Sequence, residues 1–276
     1  MTEPKLKTLD QESSILRVIY YGDPGVGKTT AAASMAELGK IIYIDAEEGL
    51  KGAALKRHGV PIENIEPHRD ISYEALTKLA SELPLRLNRK DPPIGLVWDS
   101  ITASVGALLA ELTTAAAERA KSKGIVRASY TAQQDDWGDV VAQVRELMRK
   151  FRSLPIHLVM TAHAKRGTDE DGRVRVGPAT SPALQTDLMA YTDSVVMMRV
   201  EEIAGEPYRV GLCQPEGKYD AKDRIGLFPA RLVEPTFPRM LAYVAGDLDR
   251  ATDPVQTKVR EALNTNTGED TNAQAD

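Results

Sequence analysis

Residues Tyr21–Thr30 read YGDPGVGKTT. Three glycines and a proline surround one lysine, and two threonines follow. That composition suits neither a core strand nor a helix interior. Gly22 to Thr29 fits G-x-x-x-x-G-K-[ST], the phosphate-binding P-loop. Glycines let the backbone curl so that successive N–H groups converge on phosphate oxygens. A helix beginning where the loop ends would add its positive N-terminal dipole. Gly22, Asp23, Pro24, Gly25, Val26, Gly27, Lys28, Thr29 and Thr30 are therefore the expected ATP contacts. Lys28 would reach the β- and γ-phosphates as a point charge. The Thr29 hydroxyl would bind Mg²⁺.

The flanking segments agree with that reading. Ser14–Tyr21 (SILRVIYY) is a short apolar, β-branched run and predicts a buried strand entering the loop. Thr29–Leu38 (TTAAASMAEL) predicts an alanine-rich helix leaving it, closed by Gly39. Further strands are expected at Ile41–Asp45, Ile94–Trp98, Pro155–Met160, Ser194–Met198 and Tyr208–Cys213. Helical spacing covers Glu48–His58, Tyr73–Leu87 (interrupted by Pro84), Thr102–Arg119 and the run Val140, Val144, Leu147, Met148, Phe151. Ala120–Gly138 between the last two is polar and without periodicity. Asp169–Gly172 (DEDG), with GRVRV after it, suggests a hairpin. Strands alternating with helices predict βαβ units and an α/β fold: a mostly parallel, twisted sheet flanked by helices.

Length and composition narrow the classes further. With 276 residues, 42% of them hydrophobic and 27% charged, the chain can bury one large α/β core. Its one cysteine, Cys213, excludes an intramolecular disulfide and fits a reducing, cytoplasmic setting. The chain contains no run of about 18 apolar residues, and its first residues are polar, so neither a membrane span nor a signal peptide is expected. A net charge of −5 argues against a protein that coats nucleic acid through overall charge, while leaving room for local basic patches. The expected organisation is an N-terminal extension (1–13), one ATPase domain (14–250) and a C-terminal helix with a disordered tail (251–276). The tail, Asn264–Asp276, lacks any sizeable apolar side chain.

A P-loop needs a second oxygen ligand for its magnesium. IGLVWDS places Asp99 at the carboxyl end of an apolar strand, where ligands gather in such sheets. That is a Walker B arrangement, although Asp-Ser also starts helices. Ile44–Glu48 (IDAEE) ends the strand after the P-loop helix, strand four ends LVMTAHAKR, and GKYDAKDRIGLF carries K-x-R at Lys222 and Arg224.

Jointly, these motifs resemble the RecA-like P-loop ATPases, in particular the small ones encoded by bacteriophages, which are relatives of RecA and the Rad-type recombinases. The resemblance spans roughly residues 14–245. It implies that Glu47 is the general base activating the attacking water, with Glu48 taking the role if the register is off by one. It implies that Thr161 and His163 sense the γ-phosphate; RecA has glutamine there, so His163 is a departure. It implies that Lys222 and Arg224 reach into a neighbour's site in a head-to-tail ring or filament. Residues two apart on an extended chain share a side, so both cations can meet one triphosphate.

The same family binds single-stranded DNA through loops after the third and fourth core strands. The counterparts are Ala120–Gly138, with Lys121, Lys123, Arg127 and Tyr130, and Lys165–Pro182, with Lys165, Arg166, Arg173 and Arg175. Cations track phosphates and a tyrosine stacks on a base. The expected function is ATP hydrolysis coupled to phage recombination or annealing. Two rivals stand beside it: an ATP-switched protein that recruits a replication or single-strand-binding partner, and a P-loop kinase for a small molecule.

Overall fold

The computed structural model describes residues 15–129 and 131–269. The expected N-terminal extension and Tyr130 lie outside them. The chain opens with β1 (Arg17–Gly22), the P-loop, and α1 (Lys28–Ala33), which tightens into a 3₁₀ turn over Ser34–Glu37. There follow β2 (Ile41–Asp45), α2 (Gly52–Arg57), β3 (Ile65–His68), α3 (Tyr73–Arg86), β4 (Gly95–Asp99), α4 (Ile101–Ser122) and α5 (Gln134–Arg152). The second half holds β5 (His157–Thr168), β6 (Val174–Pro178), α6 (Pro182–Tyr191), β7 (Ser194–Ile203), β8 (Glu206–Leu212), β9 (Lys222–Asp223), β10 (Arg231–Val233), α7 (Phe237–Ala245) and α8 (Pro254–Glu269).

The strand order is β10-β8-β7-β1-β5-β4-β2-β3. From β3 to β7 every pairing is parallel; β8 and β10 close one edge antiparallel. The mostly parallel α/β core expected from the alternating pattern is thus the observed one. Both faces are covered, so the central strands are mainly apolar where they run parallel, and alternation decides which core a residue joins. Ile19, Tyr21, Ile44 and Trp98 face one core with α3, α4, α5 and α6. Val18, Tyr20, Tyr43 and Val97 face the other with α1 and α7. Trp98 anchors the first core. Its ring meets Phe151 edge-on at 5.6 Å, and its indole N–H donates to Ser104 Oγ at 2.7 Å.

Several boundaries differ from the sequence reading, each for an identifiable reason. α3 runs through Pro84 without a break, because the proline lies in its last turn and costs a single backbone bond. α2 is shorter than expected: the Asp45 carboxylate, with Gly49 and Leu50 N–H groups on it, holds the preceding segment in a turn. The polar stretch shrinks to 123–133, since α4 continues to Ser122 and α5 begins at Gln134 behind a capping box. β5, expected over Pro155–Met160, extends to Thr168 because its far half pairs with β6, so most of Lys165–Pro182 is a hairpin rather than an open loop. Its turn is the expected one at Asp169–Gly172, with Gly172 at φ 76°. Tyr21 fastens this hairpin to β1 by donating its hydroxyl to Val176 O at 2.9 Å. Helix α8 runs to Glu269, so residues 264–269 are helical rather than a disordered tail. Asp253 caps it, and Val259 buries its first turns.

Candidate nucleotide site

Parallel strands present their carboxyl ends along one edge of the sheet, and the chain's connections reverse direction beside β1. The chemistry-bearing side chains stand there in strand order. The P-loop follows β1, Thr161 and His163 end the parallel part of β5, Asp99 and Ser100 end β4, and Glu47 follows β2.

The loop itself needs its glycines. Gly25 and Gly27 have φ of 82° and 94°, in the left-handed region where a side chain is strained. A Cβ on Gly22 would sit 2.4 Å from the Met198 carbonyl oxygen, so the loop leaves β1 pressed against β7. Lys28 starts α1, and its ammonium donates to the loop carbonyls of Gly22 at 3.0 Å and Asp23 at 2.8 Å. Burial lowers its pKa below the usual lysine range, against the opposing pull of Asp99, Glu47 and Asp23.

Asp99 gathers hydroxyl groups. Its Oδ2 accepts from Thr29 Oγ1 at 2.8 Å and from Tyr43 OH at 2.6 Å, and its Oδ1 accepts from Thr161. Burial and the Asp99 charge hold the Tyr43 phenol far above its ordinary value, so it stays a donor. The Thr29 hydroxyl beside a buried carboxylate is the hard-oxygen pair that Mg²⁺ takes. Among the described residues no group of three or more His, Cys, Asp or Glu could hold a metal unaided. When bound, Mg²⁺ would neutralise phosphate charge from Thr29 and Asp99. Ser100, not Asp99, caps α4: its Oγ accepts from Ala103 N–H at 3.2 Å.

Glu47 is the acid drawn into this row. Its Oε1 accepts from Ser100 Oγ and lies 2.9 Å from His163 Nε2. Burial pushes its carboxyl up, but the Ser100 and His163 bonds and the charges of His163 and Lys28 outweigh that and hold it below the usual value. Glu48 sits at φ 51° and its backbone carbonyl accepts from Lys51 Nζ; among the described residues no hydrogen bond or ion pair joins its carboxylate to this row. Between the two acids, the geometry favours Glu47. Thr102 joins the row to the hairpin, accepting from His163 N–H at 3.1 Å and donating to Ala179 O at 3.0 Å.

The match of a family model covers residues 14–225, described as an AAA domain. The chain belongs to the AAA domain family. Membership places this AAA protein among the P-loop ATPases, in keeping with the loop, lysine and carboxylates just described. No curated protein matches the chain. Among the described residues no helix is long and apolar enough to cross a membrane.

Lys222 and Arg224 share a side, as their spacing predicts, but that side is the C-terminus of α6. Lys222 Nζ donates to Met189 O at 2.5 Å and Thr192 O at 2.9 Å, and Arg224 Nη2 to Ala190 O at 3.0 Å. β9 pairs with β7 at Val195, three residues below the level of Gly22, about 10 Å down the strand and turned from its own P-loop. Carbonyls left over at a helix end are a natural seat for cations.

The basic residues of the two expected DNA elements do not converge. Lys121 lies 20 residues along α4 from Ile101, about 30 Å from the catalytic edge. Lys123 caps the same end. Arg127 is paired with Asp136, Arg173 with Asp171 at 3.3 Å, and Arg175 with Asp220 at 2.5 Å. Among the described residues no ion pair engages Lys121, Lys123, Lys165 or Arg166. The sequence reading missed Trp137. It is 43% exposed at the start of α5 and lines a concave surface with Thr102, Val105, Lys165 and Pro182. It also missed Ser100 and Thr102 as partners of Glu47 and His163. Serine and threonine two positions apart after a Walker B aspartate were the available signal.

Proposed function

We propose that this AAA protein hydrolyses ATP in a head-to-tail assembly of its own copies and couples that cycle to single-stranded DNA, as a RecA-like phage protein of recombination or annealing. One observation carries the reading: Glu47, aligned by Ser100 and His163, stands in the same row as Thr29 and Asp99. In the step proposed, Glu47 takes a proton from water as the water oxygen bonds to the γ-phosphorus. The bond to the β–γ bridging oxygen breaks, leaving ADP and inorganic phosphate. Lys28 leaves the loop carbonyls for the phosphate oxygens.

Thr102 supports coupling, since its hydroxyl ties His163 to the segment between β6 and α6. The exposed Trp137 beside Lys165 supports a single strand as the partner, because a base stacks on an indole and an ammonium tracks phosphate. Lys222 and Arg224 serve a neighbour's triphosphate once they leave the end of α6. The deciding experiment measures phosphate release with and without single-stranded DNA across protein concentration. DNA-stimulated, concentration-dependent turnover is expected; turnover indifferent to both refutes the coupling.

A second reading, an ATP-controlled recruiter of a replication or single-strand-binding protein, is favoured by the pairing of Arg127, Arg173 and Arg175 with acids. ATP-dependent capture of such a partner with negligible turnover would select it.

A further inference from the structure

An arginine stands at the phosphate loop. Arg209, on β8, crosses directly over Gly27: a Cβ built on that glycine would lie 2.5 Å from Arg209 Nε and 2.7 Å from Cδ. The loop's last glycine thus admits the arginine as well as the left-handed backbone. Arg209 is held in place from behind by Glu234, the residue after β10. Its backbone N–H donates to Glu234 Oε1 at 3.0 Å, its Nη1 lies 3.4 Å from Oε2, and Glu234 N–H donates to Arg209 O at 2.7 Å. Each side chain remains 33% exposed.

The strand order gives this contact a direction. Glu47, Asp99 and His163 sit on the β5–β4–β2 side of β1, whereas β8 lies on the other side, beyond β7. A triphosphate whose γ end is within reach of Glu47 must extend its α end and nucleoside over Gly27 toward β8. Arg209 waits there. We infer that Arg209 is the nucleoside contact of this site, its guanidinium plane packing on the purine base, with Glu234 as the residue that positions it. The inference rests on the reading that the loop binds ATP.

Stacking, rather than phosphate binding, follows from the pairing. The Glu234 carboxylate already offsets the arginine's charge, which weakens its pull on an anion. The same pairing fixes the guanidinium, and a fixed planar cation offers a flat face to an aromatic ring.

Calorimetry with two probes, Mg·ATP and Mg·tripolyphosphate, separates the possibilities. The wild type is expected to bind ATP more tightly than tripolyphosphate. Arg209→Ala is expected to weaken ATP by about tenfold and to leave tripolyphosphate unchanged, which also shows that the variant loop is folded. Arg209→Lys keeps the charge without the plane and should resemble Arg209→Ala; it carries the comparison if the alanine variant does not fold. Equal loss for both probes would make Arg209 a phosphate ligand and overturn the inference, as would unchanged ATP affinity. Binding of neither probe by the wild type would instead defeat the reading of the loop, and this inference with it.

Discussion

His163 Nε2 lies 2.9 Å from Glu47 Oε1, joining the end of the parallel part of β5 to the turn after β2 across 116 positions of chain. The acid is already held by Ser100, so the histidine gives it a second partner and a fixed direction. A carboxylate oriented in this way beside the hydrogen-bonded Asp99–Thr29 pair is suited to draw a proton from water.

Glu47→Gln should retain ATP binding and lower turnover by about 100-fold or more. Glu48→Gln should leave both near wild type, because among the described residues no hydrogen bond or ion pair joins the Glu48 carboxylate to the row, whereas Glu47 is held by Ser100 and His163. Phosphate release under saturating ATP measures each, and the reverse ranking would transfer the role to Glu48.

Ser100→Ala tests how the acid is tuned. Glu47's folded pKa is held below the usual glutamate range, so the base is available above that lowered pKa and is lost as pH falls through it. Removing the Ser100 donor raises the folded pKa, and the acid limb of the rate profile should move to higher pH. The same change removes the cap of α4 and should cost about 1 kcal/mol of stability. A destabilised variant with an unmoved acid limb would leave Ser100 a cap and nothing more.

Lys28 carries a pH dependence of opposite sense. Burial lowers its pKa, so its charge is lost at a pH below that of an ordinary lysine. A triphosphate binds the charged form. ATP affinity should therefore decline as pH rises through the lowered pKa, and binding there should take up a proton. Calorimetry in two buffers of different ionisation heat reads that proton directly. Lys28→Ala should abolish both the uptake and most of the affinity.

Salt dependence separates the basic residues. Lys165→Ala and Arg166→Ala should each reduce the slope of log affinity for single-stranded DNA against log salt by about 0.7. Arg127→Ala should leave that slope unchanged and lower thermal stability, since Arg127 is committed to Asp136 at the start of α5. Identical slopes in all three variants would remove the hairpin from the DNA path.

Mixed assemblies test the trans role of the K-x-R pair. Lys28→Ala and Arg224→Ala chains, each inactive alone, should recover part of the activity when combined, because one type of interface regains a full set of groups. Arg224 is exposed at the end of α6, so its loss should cost at most about 1 kcal/mol of stability. No recovery on mixing would confine Lys222 and Arg224 to capping α6.

Much of this molecule is written locally. The P-loop, the order of strands and helices, and Asp99 at a strand end follow from glycine conformation, apolar runs and the parallel-sheet rule that ligands meet carboxyl ends. These depend on residues close in sequence, and close residues constrain each other through backbone geometry alone. The choice of Glu47 over Glu48, the partners Ser100 and Thr102, and the placing of Arg209 over Gly27 depend on strands 50 to 180 positions apart lying side by side. The same holds for what the cations do. Lys121 and Lys165 look alike as letters, but a helix of 22 residues carries one of them far from the catalytic edge. Side-chain direction and pairing are properties of packed neighbours, and a one-dimensional pattern does not say which neighbours the packed sheet supplies.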